Sequence, residues 1–285
     1  MHEVIVDYSI EKQNAWLRNK CQGVVNRYFN LRRNLLWQLH LWRHPIPLDR
    51  GKLVPGAVPV IINNFNRLEP LQSQVEWLCS LKERVSIVIV DNGSDYPPLL
   101  DYYASLDLPN VQVALLGFNA WRKGIAAVAK LLRDFDKFIV TDPDLLPYPS
   151  TPDDVVTHLS NLLDRYPAFN HVGLSLEIND LPENVLREKV LRHELQFWSP
   201  AAQQLNGEVY VAAVDTTFAM YRRGADVQAL SPALRTARPY TLRHIDWYVQ
   251  PNKLTPEYLH YLRSVSPVAT WAVEIRKVIG RRAQA

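Results

Sequence analysis

Cysteine is nearly absent from this chain. Cys21 and Cys79 are its whole complement, too few and too widely spaced for a disulfide framework or a zinc site. No apolar run approaches the roughly 20 residues that cross a bilayer. The start, "MHEVIVDYSIEK", has neither the basic opening nor the apolar stretch of a secretory signal. These absences set the expectation of a soluble, intracellular, cytoplasmic protein. No Gly-x-Gly-x-x-Gly follows any strand-like run, which argues against a dinucleotide-binding dehydrogenase. A net charge of +3 is too small to imply nucleic acid. No solenoid-length repeat or low-complexity stretch is present.

What remains is a chain able to bury a core: 285 residues, 47% hydrophobic and 21% charged. The charge is uneven. Residues 1–52 are rich in lysine and arginine and also hold Trp16, Trp37 and Trp42. Apolar residues recur over 11–43 at helical steps, and "HPIP" at 44–47 breaks the pattern. Residues 1–52 therefore read as a helical extension. It is open to three uses: a scaffold on the rest of the chain, a homodimer surface, or a basic, tryptophan-bearing face resting on the inner side of a membrane.

From residue 53 the texture changes. Strand-like runs at 57–65, 85–94, 111–117 and 137–145 alternate with helical patterns at 68–82, 96–106, 121–135 and 151–166, the last with Thr151 as N-cap and Pro152 at its first position. Unbroken apolar strands alternating with amphipathic helices predict an α/β fold, a mostly parallel sheet sandwiched by helices. After 167 the alternation loosens. A strand is expected at 171–178, a charged helix at 182–198, a hairpin or bent strand at 208–223, a mixed region at 223–255 and a last helix near 270–280.

Ligands of such sheets bind beyond the carboxyl ends of the strands. There the chain places "INNFNR", "VIVDNGS", "GFNAWRKG" and "TDPD". It also carries a second Asp-x-Asp, Asp134-Phe135-Asp136, but at a helix end, where it reads as solvated surface. Asp142-Pro143-Asp144 closes a strand, where two carboxylates can share Mg2+ or Mn2+ with a diphosphate. The plainer alternative is a turn in which both aspartates only accept backbone hydrogen bonds.

Taken in order over about 57–150, and more loosely to about 250, these segments resemble the GT-A (Rossmann-like) nucleotide-sugar glycosyltransferases, most nearly family 2. The resemblance implies a nucleotide half at about 57–150 and an acceptor half at about 151–285. It implies that Asn64 and Arg67 line the nucleotide pocket, and that Asp91 bonds the base edge beside Asn92 and Ser94. Asn119, Lys123 and Gly124 would border base, ribose and phosphates. Asp142 would face ribose or metal, and Asp144 would ligate the metal, with His244 as a third ligand. Lys123 reads more readily as a solvated helix residue than as a phosphate ligand. The donor would be a nucleotide-sugar, UDP-sugar favoured, the cofactor Mn2+ or Mg2+, and the acceptor a glycan or lipid-linked glycan in bacterial-type surface polysaccharide synthesis.

An inverting transfer also needs a carboxylate near the acceptor hydroxyl. Asp215, closing the apolar run "VYVAAV", and Asp246, in "RHIDWY", are the candidates. Trp247 and Tyr248 could stack on a sugar or fill the core. The chain departs from the family pattern in having no Glu-Asp dipeptide, which leaves the base, and inversion itself, open. A sugar-1-phosphate nucleotidyltransferase would need a glycine-rich loop after the first strand, where this chain has "INNFNR". The alternative of another class is a non-catalytic nucleotide- or glycan-binding protein of the same fold.

Overall fold

The computed structural model describes residues 46–198, 203–214, 217–265 and 270–282, with Leu35, Leu39, Leu41 and Arg43. The chain divides into two compact units, Met1–Ile46 and Pro47–Ala285. In the first unit those four residues account for nearly all that is described; Leu35, Leu39, Leu41 and Arg43 are helical. The tryptophan-bearing readings of that segment lie outside the described residues. In the second unit no helix of the described residues is long and apolar enough to cross a membrane.

The second unit is built on a nine-stranded sheet ordered β3-β2-β1-β4-β10-β6-β11-β9-β8. Its first four strands are β1 (Val58–Asn64), β2 (Val85–Asp91), β3 (Val111–Leu115) and β4 (Lys137–Thr141), all mutually parallel. Every residue of β2 is buried, as expected of a strand covered on both faces. Helices α1 (Glu69–Ser80) and α2 (Pro97–Ser105) make the first two crossovers. Leu71, Gln74, Val75 and Leu78 form the buried stripe of α1 at helical spacing.

Beyond β4 the sheet turns mixed. Strand β10 (Ala219–Arg222) runs antiparallel to β4 and to β6 (His171–Gly173). Next come β11 (Ala233–Thr236), parallel to β6, and β9 (Val209–Val211) and β8 (Gln203–Leu205), which pair antiparallel. After Gly173 the chain leaves this sheet and enters a small one, in which β12 (Thr241–His244) lies between β5 (Leu145–Pro147) and β7 (Ser175–Leu176). The remaining helices are α3 (Ala129–Leu132), α4 (Val155–Arg165), α5 (Arg187–Trp198), α6 (Pro256–Ser264) and α7 (Thr270–Arg282).

Three local expectations change. The strand expected at 137–145 splits, because Asp142–Asp144 turn the chain from the large sheet into the small one. The helix expected at 121–135 is a 3-10 turn over Trp121–Val128 followed by the single turn of α3. Gly124 lies so close to Asn92 that an added Cβ would fall 2.8 Å from Asn92 Oδ1, and glycine inside an α-helix is unfavourable. Thr151 is not the cap of α4, which begins at Val155. Its hydroxyl accepts from Tyr148 N and donates to Thr241 O. The opening amides of α4, Val156 N and Thr157 N, donate instead to the Glu83 carboxylate, a cap supplied from a distant loop.

Candidate functional site

Strand register builds the site. Asn64 of β1 lies beside Asp91 of β2, and Ile62 beside Thr141 of β4. β1 and β2 therefore end level and β4 stops two residues short of them, and the loops that follow share one edge. Beyond that edge is a cavity of about 370 Å3. Asn63, Arg67, Asn92, Asn119, Asp142 and Asp144 border it from the parallel half, His244 from the small sheet, and Asp246 and Trp247 from the 3-10 turn Ile245–Tyr248 after it. The segment "TDPD" is thus a turn whose aspartates face a cavity. Gln74 of α1 pins its backbone, donating to Asp142 O and Leu145 O at 2.9 Å each. Asp134 and Asp136 pair at the surface with Arg50 and Arg223.

The small sheet brings the late residues to this turn. His244 pairs with Leu145, and Ile245 N donates to Asp144 O at 2.8 Å. His244 Nδ1 stands 3.7 Å from Asp144 Oδ2. It is buried and has no hydrogen-bond partner. The imidazole stacks on Trp247 with centroids 5.0 Å apart.

Arg67 is the electrostatic centre. It is only 4% exposed. Its Nη1 donates to Asp246 Oδ1 at 2.6 Å and lies 3.8 Å from Asp144 Oδ2, while Nε donates to Glu257 Oε1 at 3.2 Å. Tyr258 and Tyr261 present their rings to its guanidinium at 5.2 and 4.8 Å. Burial alone would lower the Arg67 pKa, but Asp246, then Asp144, outweigh it and hold the pKa well above its usual value. Burial pushes Asp246 up, with Asp144 adding to the rise and Arg67 opposing it. Burial likewise raises Glu257, again against Arg67. Glu257 Oε2 also accepts from Glu69 N at 2.6 Å, tying α6 to the start of α1.

The other residues singled out in the sequence stand behind this surface. Asp91 accepts from Ser94 N at 2.9 Å, from Ser94 Oγ and from Tyr103 Oη. Asn64 donates to the same Tyr103 Oη at 2.7 Å, and Ser94 Oγ accepts from Asn66 N. Asn64, Asp91 and Ser94 thus form a polar layer under the loops, and they are not part of the cavity lining, nor are Lys123 and Gly124. Asp215 lies outside the described residues.

Sequence reasoning missed the far wall. Glu194 and His193 of α5, Arg235 of β11 and Trp271 of α7 also line the cavity. Arg235 Nη1 donates to Glu194 Oε2 at 2.9 Å, and both side chains are almost fully buried. Rings connect this pair to the aspartates: His193 packs edge-on to Trp271 at 6.0 Å, and Trp271 to Trp247 at 5.6 Å. Thr217 Oγ1 and Trp247 Nε1, buried on cavity-lining residues, have no hydrogen-bond partner. Glu194 alternates with apolar positions such as Val190 on α5, a polar residue on a buried stripe, and that was the available signal.

Among the described residues no three His, Cys, Asp or Glu side chains are gathered as a ready-made metal cage. Asp144 and His244 still fit a divalent ion as a pair. An unpartnered imidazole nitrogen facing a carboxylate oxygen is a two-ligand edge that a diphosphate and water would complete.

No family model matches the chain, and no curated protein does. Solved structures do show likeness. A mannosyltransferase from Pyrobaculum calidifontis, in complex with GDP-Man and Mn2+, is 16% identical, with 90% of this chain and 84% of that one covered and a TM-score of 0.41. S. aureus TarS (residues 1–349) is 12% identical, covering 77% and 70%, at 0.39. Glucosyl-3-phosphoglycerate synthase from Mycobacterium tuberculosis is 17% identical, covering 59% of this chain and 57% of its own, at 0.35.

Proposed function

We propose that this protein is a metal-dependent glycosyltransferase. It would move a sugar from a nucleotide-diphosphate donor, UDP-sugar favoured, to a glycan or lipid-linked acceptor, with inversion. One observation carries the reading: a single cavity at the carboxyl ends of the parallel strands is bordered by Asp142, Asp144, His244 and Asp246 together with Asn63, Asn92 and Asn119. Carboxylates and an imidazole suit a divalent cation, and amide side chains suit a nucleoside.

Asp144 and His244 would hold Mn2+ or Mg2+, with Asp142 beside them. Bound there, the ion supplies Lewis-acid neutralisation of the departing diphosphate. Arg67 fixes Asp246 through Nη1 and keeps its second oxygen oriented. A carboxylate whose pKa burial has raised is a better proton acceptor near neutral pH. Asp246 is therefore assigned the acceptor hydroxyl's proton. Glu194 is assigned to the acceptor's other hydroxyls, with Trp271 as a ring-sized apolar wall. Asp91 and Asn64 support the loop that carries Arg67, and Asn119 borders the donor.

Calorimetric titration with UDP and GDP, each with and without Mn2+, tests the reading. Mn2+-dependent binding of one nucleotide, lost in Asp144→Ala, is the expected result and names the donor class. Binding that ignores Mn2+ would leave a nucleotide-binding protein without the transferase chemistry. No binding of either nucleotide would refute the proposal.

A further inference from the structure

Trp121 breaks two habits of tryptophan at once. Its φ is +56°, a left-handed backbone that bulky residues rarely adopt. It is also 49% exposed, although it is the largest apolar side chain available to the fold. Strain of this kind persists only where the surroundings impose it, and it concentrates at ligand clamps.

The surroundings here do impose it. Trp121 N donates to Asn119 Oδ1 at 2.9 Å, closing a tight turn. Just before it, the Phe118 backbone lies against Gly93, where an added Cβ would come within 2.6 Å of it. Just after it, Arg122 Nη2 donates to Val227 O, and Arg122 O accepts from Gln228 Nε2 at 3.1 Å. The loop is thus clamped on both sides of Trp121. Its indole makes no ring contact among the described residues, and it lines the mouth of the cavity beside Asn119.

We propose that the Trp121 indole is the face on which the nucleobase of the donor stacks. The inference rests on the nucleotide reading above. Sheet order supports a base over a sugar. Trp121 follows β3, and the aspartates follow β4, three strand positions away in the order β3-β2-β1-β4. That separation is roughly 14 Å, which suits a heterocycle at one end of an extended nucleoside diphosphate and its phosphates at the other. Asn119 borders the cavity beside Trp121; its Oδ1 accepts from Trp121 N, which leaves its Nδ2 to donate at a base edge. Stacking is tolerant of base identity, so Trp121 supplies affinity and the Asn119 amide supplies choice.

The test is binding of UDP, GDP and inorganic pyrophosphate, each with Mn2+, to the wild type, Trp121→Ala, Trp121→Phe and Trp121→Gly. Trp121→Ala should weaken UDP and GDP by about 5- to 100-fold and leave pyrophosphate unchanged. Trp121→Phe should retain most of the affinity. Trp121→Gly, which suits the left-handed backbone, should melt no lower than Trp121→Ala and still lose base-dependent affinity, separating stacking from folding. Wild-type affinity for UDP and GDP in Trp121→Ala would overturn the stacking role and leave the nucleotide reading standing. Equal loss of pyrophosphate would also overturn it, marking Trp121 as structural. A wild type that binds pyrophosphate but gains nothing from a base would overturn both.

Discussion

Two buried guanidiniums border the same cavity, and their charge surroundings differ. Arg235 is matched with Glu194, its Nε donates to Ala213 O, and its guanidinium lies 3.8 Å from the Phe197 ring centroid. Arg67 faces three carboxylates, those of Asp246, Glu257 and Asp144. A matched pair is electrically complete and can hold a wall in place. A cluster with surplus buried carboxylate is not, because an unpaired charge away from water is expensive. Burial raises the Asp246 pKa while its ion pair with Arg67 opposes the rise, and the open imidazole nitrogen of His244 beside Asp144 points to a cation as the balancing charge.

Removing each cation sharpens this contrast. Arg67→Met should be the most damaging substitution, costing about 3–5 kcal/mol in chemical denaturation, because it strands Asp246 and Glu257 together. Arg235→Met strands only Glu194 and should cost clearly less. An equal cost at the two positions would remove the distinction between the clusters.

Removing carboxylates should separate stability from binding. Glu194→Gln leaves an amide against the Arg235 guanidinium and should cost about 1–3 kcal/mol while UDP or GDP affinity stays unchanged. Asp144→Asn should change stability by less than about 1 kcal/mol, since Asp144 lies 3.8 Å from Arg67, beyond hydrogen-bonding distance, and repels Asp246. The same substitution should weaken Mn2+-dependent nucleotide binding at least about tenfold. Isothermal titration beside urea melts reads both quantities.

The smallest expected effect is on pH dependence and lies away from the cavity. Burial lowers the pKa of His171 and of His158, from a usual value of 6.5. Their unfolded forms therefore take up protons first as the pH falls. Stability that is complete above about pH 6.5 should decline as the pH drops from there through the two folded values. Asp246 and Glu257, with raised values, act in the opposite direction at lower pH. Melting temperatures between pH 7.5 and 6 should show the decline, and His158→Gln should flatten the slope.

The parallel half of the fold was readable because its signals are local. Uninterrupted Val and Ile runs such as β2 and the apolar stripe of α1 dictate burial and crossover, and the strand ends then follow from register. The second half depends on pairings between distant segments. Nothing near Leu145 announces that β12, about a hundred residues later, will lie beside it and bring His244 to Asp144. The Glu83 cap on α4 is equally remote from the helix it starts. Site residues divide the same way. Asp142, Asp144 and Asn92 were visible as polar residues closing apolar runs. Arg67 was visible too, but its Asp246 and Glu257 partners depend on tertiary contact. Glu194, Arg235 and Trp271 reach the cavity only through the mixed half of the sheet and the last helix.

The central claim is that the carboxylate-rich end of the cavity binds a divalent cation together with a diphosphate. Electron paramagnetic resonance of free Mn2+, titrated with protein in the presence of UDP or GDP, measures this directly. The free-ion signal should fall stoichiometrically with the wild type and persist with Asp144→Ala. An equal fall with the variant, or none with the wild type, would contradict the account.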